Sequence, residues 1–199
     1  MVSKKLMVLA AAGLMAAGSV MAAFAPAPAP APMAGAVAGG AVDPVHSSVV
    51  FKIKHMDKAN FYGVFKTVSG SFTFDADAAK SSIDVTVDAG SVDTRNGKRD
   101  EHVKSPDFLS VKEFPTITFK SKSFKKTGDN AFEVAGDLTF RGVTKPVTAQ
   151  VTQTDANGGG LEATFSIKRS DFGNNTMVGK GLGDEVSFIV SLEVAAKRG

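Results

Sequence analysis

The chain has 199 residues, with 23 lysines and arginines against 20 aspartates and glutamates, and it contains no cysteine. A chain of this length favours one domain. The lack of cysteine excludes disulfides, thiolate metal sites, a cysteine nucleophile and lipid attachment at a cysteine.

The first 22 residues are predicted to be a signal peptide. Lys4-Lys5 forms a basic start, Leu6 to Ala17 an apolar stretch, and Val20-Met21-Ala22 a small-residue cleavage site. The apolar stretch is short for a membrane span, which needs about 20 residues. We therefore expect export, with cleavage near Ala22. Removal of Lys4 and Lys5 lowers the formal net charge from +3 to +1, which gives no electrostatic reason to expect nucleic-acid binding.

Residues 23–41 consist almost entirely of alanine, proline and glycine. Pro26, Pro28, Pro30 and Pro32 alternate with alanine, a pattern that favours extended, polyproline-like chain. Such a composition cannot form a packed core. We predict a disordered linker over residues 23–41 and a folded domain over residues 42–199.

From Ser48 onward, apolar residues recur at every second position in about eight runs separated by turn-forming residues. This alternation is typical of half-buried antiparallel strands. About eight strands fit either a closed barrel or a two-sheet sandwich, and periodicity alone does not separate these. Inward-facing positions are expected at Val49, Phe51, Ile53, Phe72, Phe74, Ile83, Val85, Val87, Ile117, Phe119, Phe132, Val134, Leu138, Phe140, Val147, Ala149, Val151, Leu161, Ala163, Phe165, Ile167, Val186, Phe188, Val190, Leu192 and Val194.

The interior is predicted to be rich in phenylalanine. Fourteen of the fifteen phenylalanines follow residue 41, whereas the chain has no tryptophan and only Tyr62 as tyrosine. An eight-stranded barrel can be filled by its own side chains or can hold one small ligand, and both alternatives remain open. A ligand inside would meet hydrocarbon, which suits a long lipid. The candidate lining residues are Phe51, Ile53, Phe65, Phe72, Val85, Phe119, Leu138, Phe140, Phe165 and Phe188.

A helical turn is predicted at Ser105-Pro106-Asp107, because a serine cap precedes a proline at the first helical position. Phe114-Pro115 is expected to stop that turn, since the residue before proline avoids the α region. The alternating segment Thr116 to Lys120 then predicts a strand.

Three cations, Arg95, Lys98 and Arg99, lie between a strand and this predicted turn. Lys98 and Arg99 follow Asn96-Gly97, so we expect them together at a loop tip. Arginine and lysine pair well with phosphate, and the three are therefore candidates for holding a lipid head group at the barrel mouth. The alternative is a solvated loop with local ion pairs.

No catalytic or metal site is predicted. His46, His55 and His102 match no metal-ligand spacing, and a hydrogen-bonding role is expected for His46. The chain lacks the Gly-x-Ser-x-Gly signature of a serine hydrolase. We expect no cofactor.

Several motifs occur in a fixed order between residues 42 and 194. In this order and spacing the chain resembles the YceI family, periplasmic β-barrels similar to lipocalins that bind polyisoprenoid lipids. The resemblance favours the barrel over the sandwich. The matching residues are Asp43, His46-Ser47, Ser91 to Thr94, Arg99 to His102, Ser105 to Phe108, Phe114 to Phe119, Gly136 to Pro146 and Arg169 to Gly173.

The resemblance implies an all-β, eight-stranded antiparallel barrel with one short helix. It also implies a periplasmic protein that holds a long isoprenoid lipid or isoprenoid quinone without covalent chemistry. Two alternatives remain: a small secreted enzyme acting on a hydrophobic substrate, and a self-filled structural or stress-protection barrel. Long strands at a sheet edge are compatible with a homodimer.

Overall fold

The computed structural model describes residues 38–155 and 157–195, which form eleven strands and one α-helix. The signal peptide and most of the predicted linker lie outside these residues. In chain order, the elements are β1 Ala38–Ala41, β2 Ser48–His55, β3 Ala59–Phe65, β4 Val68–Phe74, β5 Ser82–Asp88, β6 Val92–Asp93, α1 Gly97–Lys104, β7 Thr116–Lys126, β8 Ala131–Phe140, β9 Val143–Gln153, β10 Gly160–Lys168 and β11 Leu182–Glu193.

All eleven strands belong to one antiparallel sheet with the order β1-β4-β5-β7-β8-β9-β10-β11-β2-β3-β6. Past the end of β1, the Asp43 N–H donates to the Glu193 carbonyl over 2.7 Å, and the Ala195 N–H donates to the Ala41 carbonyl over 2.8 Å. β1 therefore lies between β4 and the end of β11, and the sheet curls back on itself. The predicted all-β, barrel-like fold is confirmed.

The strand count differs from the expected eight. β6 has only two residues, and β1 lies inside the segment predicted to be linker. β1 contains only alanine and glycine, so it carries no alternating signal. Gly39 has φ of 135°, and a Cβ there would lie 2.7 Å from Cα of Thr73. The close contact with β4 therefore requires a glycine at this position.

Alternation fixes which side chains face the interior, as β8 shows. Phe132, Val134, Gly136, Leu138 and Phe140 are buried, and the positions that alternate with them are only half-buried. The side chains of a strand point to opposite faces in turn, so the inner face collects the apolar residues. The predicted inward-facing positions of β8 are confirmed.

The predicted start of the helix is wrong. Helix α1 begins at Gly97, where the side chain of Asn96 accepts a hydrogen bond from the Arg99 N–H over 3.0 Å. Ser105 lies at the other end of α1, and its N–H donates to the His102 carbonyl. Asparagine caps a helix as well as serine does. Asn96 precedes Ser105 in the chain, and the helix begins directly after Asn96. β7 begins at Thr116, directly after Pro115, as predicted.

Among the described residues, no helix is long and apolar enough to cross a membrane.

Candidate ligand cavities

A narrow cavity of about 70 Å³ lies in the middle of the barrel. Thr118 contributes a hydroxyl-bearing side chain, and every other lining side chain is a hydrocarbon. The lining residues are Val49, Phe65, Ile83, Val85, Val87, Ile117, Thr118, Phe119, Leu138, Phe140, Ala149, Val151, Leu161, Ala163, Phe165, Phe188, Val190 and Leu192.

A wider cavity of about 360 Å³ lies at the end of the barrel next to α1. Phe65, Phe140 and Phe188 line both cavities, so these rings separate the two spaces. The wider cavity is lined by Phe51, Ile53, His55, Phe61, Phe65, Arg99, His102, Val103, Phe108, Leu109, Phe140, Ile167, Arg169, Asn174, Met177, Leu182, Val186 and Phe188.

Nine of the ten predicted lining residues line a cavity. Phe51 and Ile53 line the wider cavity, and the others line the narrow cavity or both: Phe65, Val85, Phe119, Leu138, Phe140, Phe165 and Phe188. This placement shows where these side chains lie, and their contact with a ligand stays a prediction.

Phe72 is the exception, because it lines neither cavity. It is fully buried, and its ring lies 6.0 Å from that of Phe74. Phe74 in turn stacks on Phe132 at 5.4 Å and meets Phe124 edge-on at 6.5 Å. These four rings pack against one another at the start of β8, whereas Phe140 at the end of β8 lines the wider cavity. Phe72 therefore contributes to packing at the end of the barrel away from α1.

Of the three predicted head-group residues, Arg99 alone lines the wider cavity. Its Cζ lies 4.4 Å from the centre of the Phe61 ring, a cation–π geometry. Its Nε and Nη2 donate to the hydroxyl and carbonyl of Thr94 over 2.9 and 2.6 Å. These contacts hold the guanidinium at the cavity wall.

Arg95 and Lys98 do not line either cavity. The predicted loop tip is wrong, because Lys98 and Arg99 lie in the first turn of α1. Successive helical residues point about 100° apart, so the two side chains are not presented together. Arg95 precedes the helix with φ of 62°, and its N–H donates to the Asp93 carboxylate over 2.8 Å.

Arg169 is a site residue that the sequence pattern did not predict. It is 2% exposed, and its Nη1 donates to the side-chain oxygen of Asn174 over 2.8 Å. A signal for it is nevertheless present: Phe165 and Ile167 face inward on β10, and Arg169 is the next position with the same parity. His55, His102 and Asn174 were not predicted as lining residues either.

Asp184 is the carboxylate whose negative charge acts on the pKa of Arg169. It accepts hydrogen bonds from the backbone N–H and the hydroxyl of Ser170 over 2.9 and 2.7 Å. Burial works to raise the pKa of Asp184, but these hydrogen bonds and the charge of Arg169 outweigh it and hold that pKa below its usual range. Burial likewise lowers the pKa of the Arg169 guanidinium, because the charged form loses hydration.

The histidines do not meet at a metal site. His46 pairs with Asp43 over 3.0 Å, and His102 pairs with Asp107 over 3.1 Å. Within residues 38–155 and 157–195, no three histidine, aspartate or glutamate side chains are grouped so that they could hold a metal ion.

The sheet and its cavities define an all-β, barrel-like protein with an apolar interior. The sequence profile of the YceI-like domain matches residues 41–194, and the chain belongs to that family. Protein YceI of Escherichia coli O17:K52:H18 is 42% identical over 156 residues, covering 74% of this chain and 81% of the relative. Protein YceI of Salmonella newport is 41% identical over the same length and coverage.

Solved structures show the same fold. BcnA of Burkholderia cenocepacia superposes with a TM-score of 0.71 at 31% identity, covering 77% of this chain and 99% of that one. A polyisoprenoid binding domain from Saccharophagus degradans, implicated in plant cell wall breakdown, gives a TM-score of 0.58 at 14% identity. That likeness covers 80% of this chain and all of the other, and at this identity it concerns the fold alone.

Proposed function

We propose that this chain is a periplasmic binding protein that holds a long isoprenoid lipid or an isoprenoid quinone inside the barrel without covalent chemistry. The observation that carries the proposal is the hydrocarbon lining of the narrow cavity. This cavity adjoins the wider cavity, because three phenylalanine rings line both. The polyisoprenoid binding domain with the same fold supports this class of ligand.

The apolar lining is matched to a tail that offers no hydrogen-bonding atoms. Each methylene-sized unit removed from water contributes about 0.8 kcal/mol, so some 20 units give an upper bound of roughly 16 kcal/mol before the costs of binding. A tail alone can therefore supply the affinity. Polar groups are needed only to orient the head.

The shared rings set the path of the tail. Phe188 stacks on Phe165 with the ring centres 5.0 Å apart, and both belong to the wall of the narrow cavity. Phe188 also faces the wider cavity, together with Phe65 and Phe140. A tail that enters from the α1 end therefore passes these three rings before it reaches the narrow cavity.

Native mass spectrometry tests the proposal. The protein is produced in a host with isoprenoid-containing membranes and sprayed without denaturation. We expect an adduct that organic solvent removes, with masses among adducts that differ by whole isoprene units. An empty barrel that also takes up no added lipid would instead support the self-filled alternative. A ligand recovered in chemically altered form would support the enzyme alternative.

The periplasmic location rests on the signal-peptide pattern and has its own test. N-terminal sequencing of protein from the periplasmic fraction is expected to begin at Ala23 or close to it. Recovery of the chain in the membrane fraction with Met1 retained would contradict export.

A further inference from the structure

Four of the residues that line the wider cavity are exposed, and they mark the mouth through which it opens to solvent: His55, Arg99, His102 and Met177. Helix α1 supplies two of them, and two turns supply the others. One turn, residues 56–58, joins β2 to β3, and the other, residues 176–181, precedes β11. The backbone N–H of the first turn's opening residue, Met56, donates to the Gly181 carbonyl over 2.7 Å, so the two turns are joined. We call these two turns together the methionine tip.

Two exposed methionines lie side by side on this tip. Met56 is 51% exposed and Met177 is 41% exposed, although both side chains are apolar. A Cβ on Gly181 would lie 2.8 Å from Sδ of Met56 and 3.6 Å from Cε of Met177, so the two side chains meet over this glycine. The tip therefore presents a small, continuous apolar surface to the outside of the barrel.

The stability of the fold does not explain these methionines. Met56 has φ of 52° and Met177 has φ of 58°. This left-handed region of the backbone favours glycine and asparagine, and a long side chain is uncommon there. A side chain that stays exposed also gains little from the hydrophobic effect. Two methionines in an unfavourable backbone conformation, both exposed, indicate a role at the surface.

Each turn of the methionine tip also carries a lysine. Lys58 follows Met56 by two residues, and Lys180 follows Met177 by three. Both lysines are exposed, and neither forms an ion pair within residues 38–155 and 157–195. Asp57 is the one acidic residue in the sequence of the two turns, so the tip is net positive. Exposed apolar side chains beside lysines match an anionic lipid surface in both hydrophobicity and charge.

We propose that the methionine tip docks on the surface of an anionic lipid membrane. Met56 and Met177 enter the head-group layer, and Lys58 and Lys180 lie against the lipid phosphates. The mouth of the wider cavity then faces the membrane. Because only two apolar side chains and two cations take part, the binding is weak and sensitive to salt, and the protein can leave again. This surface lies outside the cavity and goes beyond the proposed function, because docking needs no cargo.

Vesicle flotation tests the proposal on the exported protein. The vesicles contain phosphatidylcholine with or without phosphatidylglycerol and no isoprenoid, so capture of an isoprenoid cargo does not contribute. We expect the protein to float with the vesicles that contain phosphatidylglycerol and to be released by salt, which screens exposed charges. No binding to either kind of vesicle, or equal binding to both, would overturn the inference. The proposed function stands or falls separately, on whether native mass spectrometry finds lipid in the barrel.

Methyl NMR on the unaltered side chains shows which of them meet the membrane. The methionine and valine methyl groups carry the isotope label, and a spin-labelled lipid in the vesicles broadens the signals of nearby methyls. We expect broadening at Met56 and Met177. Val45 is the reference, because it is 80% exposed and precedes β2, whereas the tip follows the other end of β2. Broadening at Val45 with sharp signals from the two methionines would place a different surface on the membrane and contradict the proposal.

Variants outside the cavity lining provide the third test. Met56→Ser should weaken binding to the anionic vesicles by about three- to ten-fold, because one apolar side chain is lost. The double variant Lys58→Gln with Lys180→Gln should weaken it by at least about ten-fold, because two cations near the lipid phosphates are lost. None of these three residues lines either cavity.

Two matched controls lie at the other end of the barrel. Val45→Ser removes an exposed apolar side chain, and Lys126→Gln removes an exposed lysine at the end of β7. Both should leave vesicle binding unchanged, and losses equal to those of the tip variants would contradict the proposal. Sedimentation without lipid tests the remaining occupant. If the unaltered protein is a dimer that Met56→Ser separates, the tip binds a second copy of the chain and the inference is wrong.

Discussion

Phe51 and Gly63 lie directly opposite each other on β2 and β3. A Cβ on Gly63 would overlap Cζ of Phe51 and lie 2.5 Å from its Cε1. The missing side chain therefore lets the Phe51 ring lie flat over the neighbouring strand, 5.6 Å from the ring of Phe65. Because Phe51 and Phe65 both line the wider cavity, Gly63 shapes the cavity wall without contacting the space inside.

Gly63→Ala is expected to push the Phe51 ring off β3. Overpacking of this kind costs about 1–3 kcal/mol in the free energy of unfolding, which urea denaturation measures. The displaced ring also narrows the wider cavity, so lipid affinity should fall. Gly97→Ala is the matched control, because a Cβ on Gly97 meets nothing within 4 Å. Equal effects of the two changes would show that the Phe51–Gly63 contact does not shape the cavity.

Phe119→Asp is expected to destabilise the fold by several kcal/mol and to abolish lipid binding, because it places an unpaired charge in the narrow cavity. Lys120→Gln, on the opposite face of β7, should change the free energy of unfolding by less than about 1 kcal/mol. Glutamine is chosen because Lys120 lies directly opposite Asp84, and an aspartate there would add like-charge repulsion. Thermal unfolding and lipid titration compare the two variants, and similar losses in both would contradict the inward-facing assignment.

Asn96→Ala should cost about 0.5–2 kcal/mol in the free energy of unfolding, because the Arg99 N–H loses its side-chain acceptor. Ser105→Ala should cost less, since Ser105 ends α1 and its hydroxyl accepts one long hydrogen bond of 3.3 Å. Urea unfolding of both variants decides between the two caps. A larger loss from Ser105→Ala would show that the Ser105 hydroxyl, and not the Asn96 side chain, makes the more important capping contact.

The interaction between His46 and Asp43 is expected to make the free energy of unfolding depend on pH. The hydrogen bond that His46 shares with Asp43, together with the charge of that carboxylate, raises the pKa of His46 above its usual 6.5. The same hydrogen bond holds the pKa of Asp43 below its usual 3.8. A raised histidine pKa stabilises the folded state below 6.5, and this contribution disappears as the pH rises past the folded-state value. The Asp43 contribution is present above 3.8 and is lost as the pH falls through its lowered value.

Asp43→Asn tests this pair, because asparagine can still accept the hydrogen bond that the Val45 N–H gives to Asp43. A proton NMR titration should find the pKa of His46 above 6.5 in the unaltered protein and closer to 6.5 in the variant. An unchanged titration would mean that another group raises the pKa of His46.

Alternation predicts the inner wall of the barrel because each strand from β2 onward has one apolar face. Phe119, Leu138 and Phe165 can be placed on that wall from their parity alone. β1 could not be predicted from the sequence, because a strand of alanine and glycine shows no alternation of apolar and polar residues. Phe72 shows a different limit: parity places a residue inside, but packing decides whether it meets a cavity or other rings.

Charged residues are harder to predict. The sequence pattern places Lys98 and Arg99 together because Asn96-Gly97 is a common turn, whereas the Asn96 side chain instead begins a helix there. Arg169 has the inward parity of β10 but was not expected inside, because a buried arginine requires hydrogen-bond acceptors that the alternation of β10 does not reveal. Gly183 and Asn174 supply those partners, and their proximity depends on the folded chain.

The hydrogen bonds that join Ala41 to Ala195 and Asp43 to Glu193 also determine the order in which the molecule can fold. The first strand of the barrel reaches its final neighbour only after nearly the whole described chain exists. Pairings between such distant segments form slowly, because a long loop must close before the contacts form. The barrel can therefore close only after the segment that reaches Ala195 has been made and has met the end of β1.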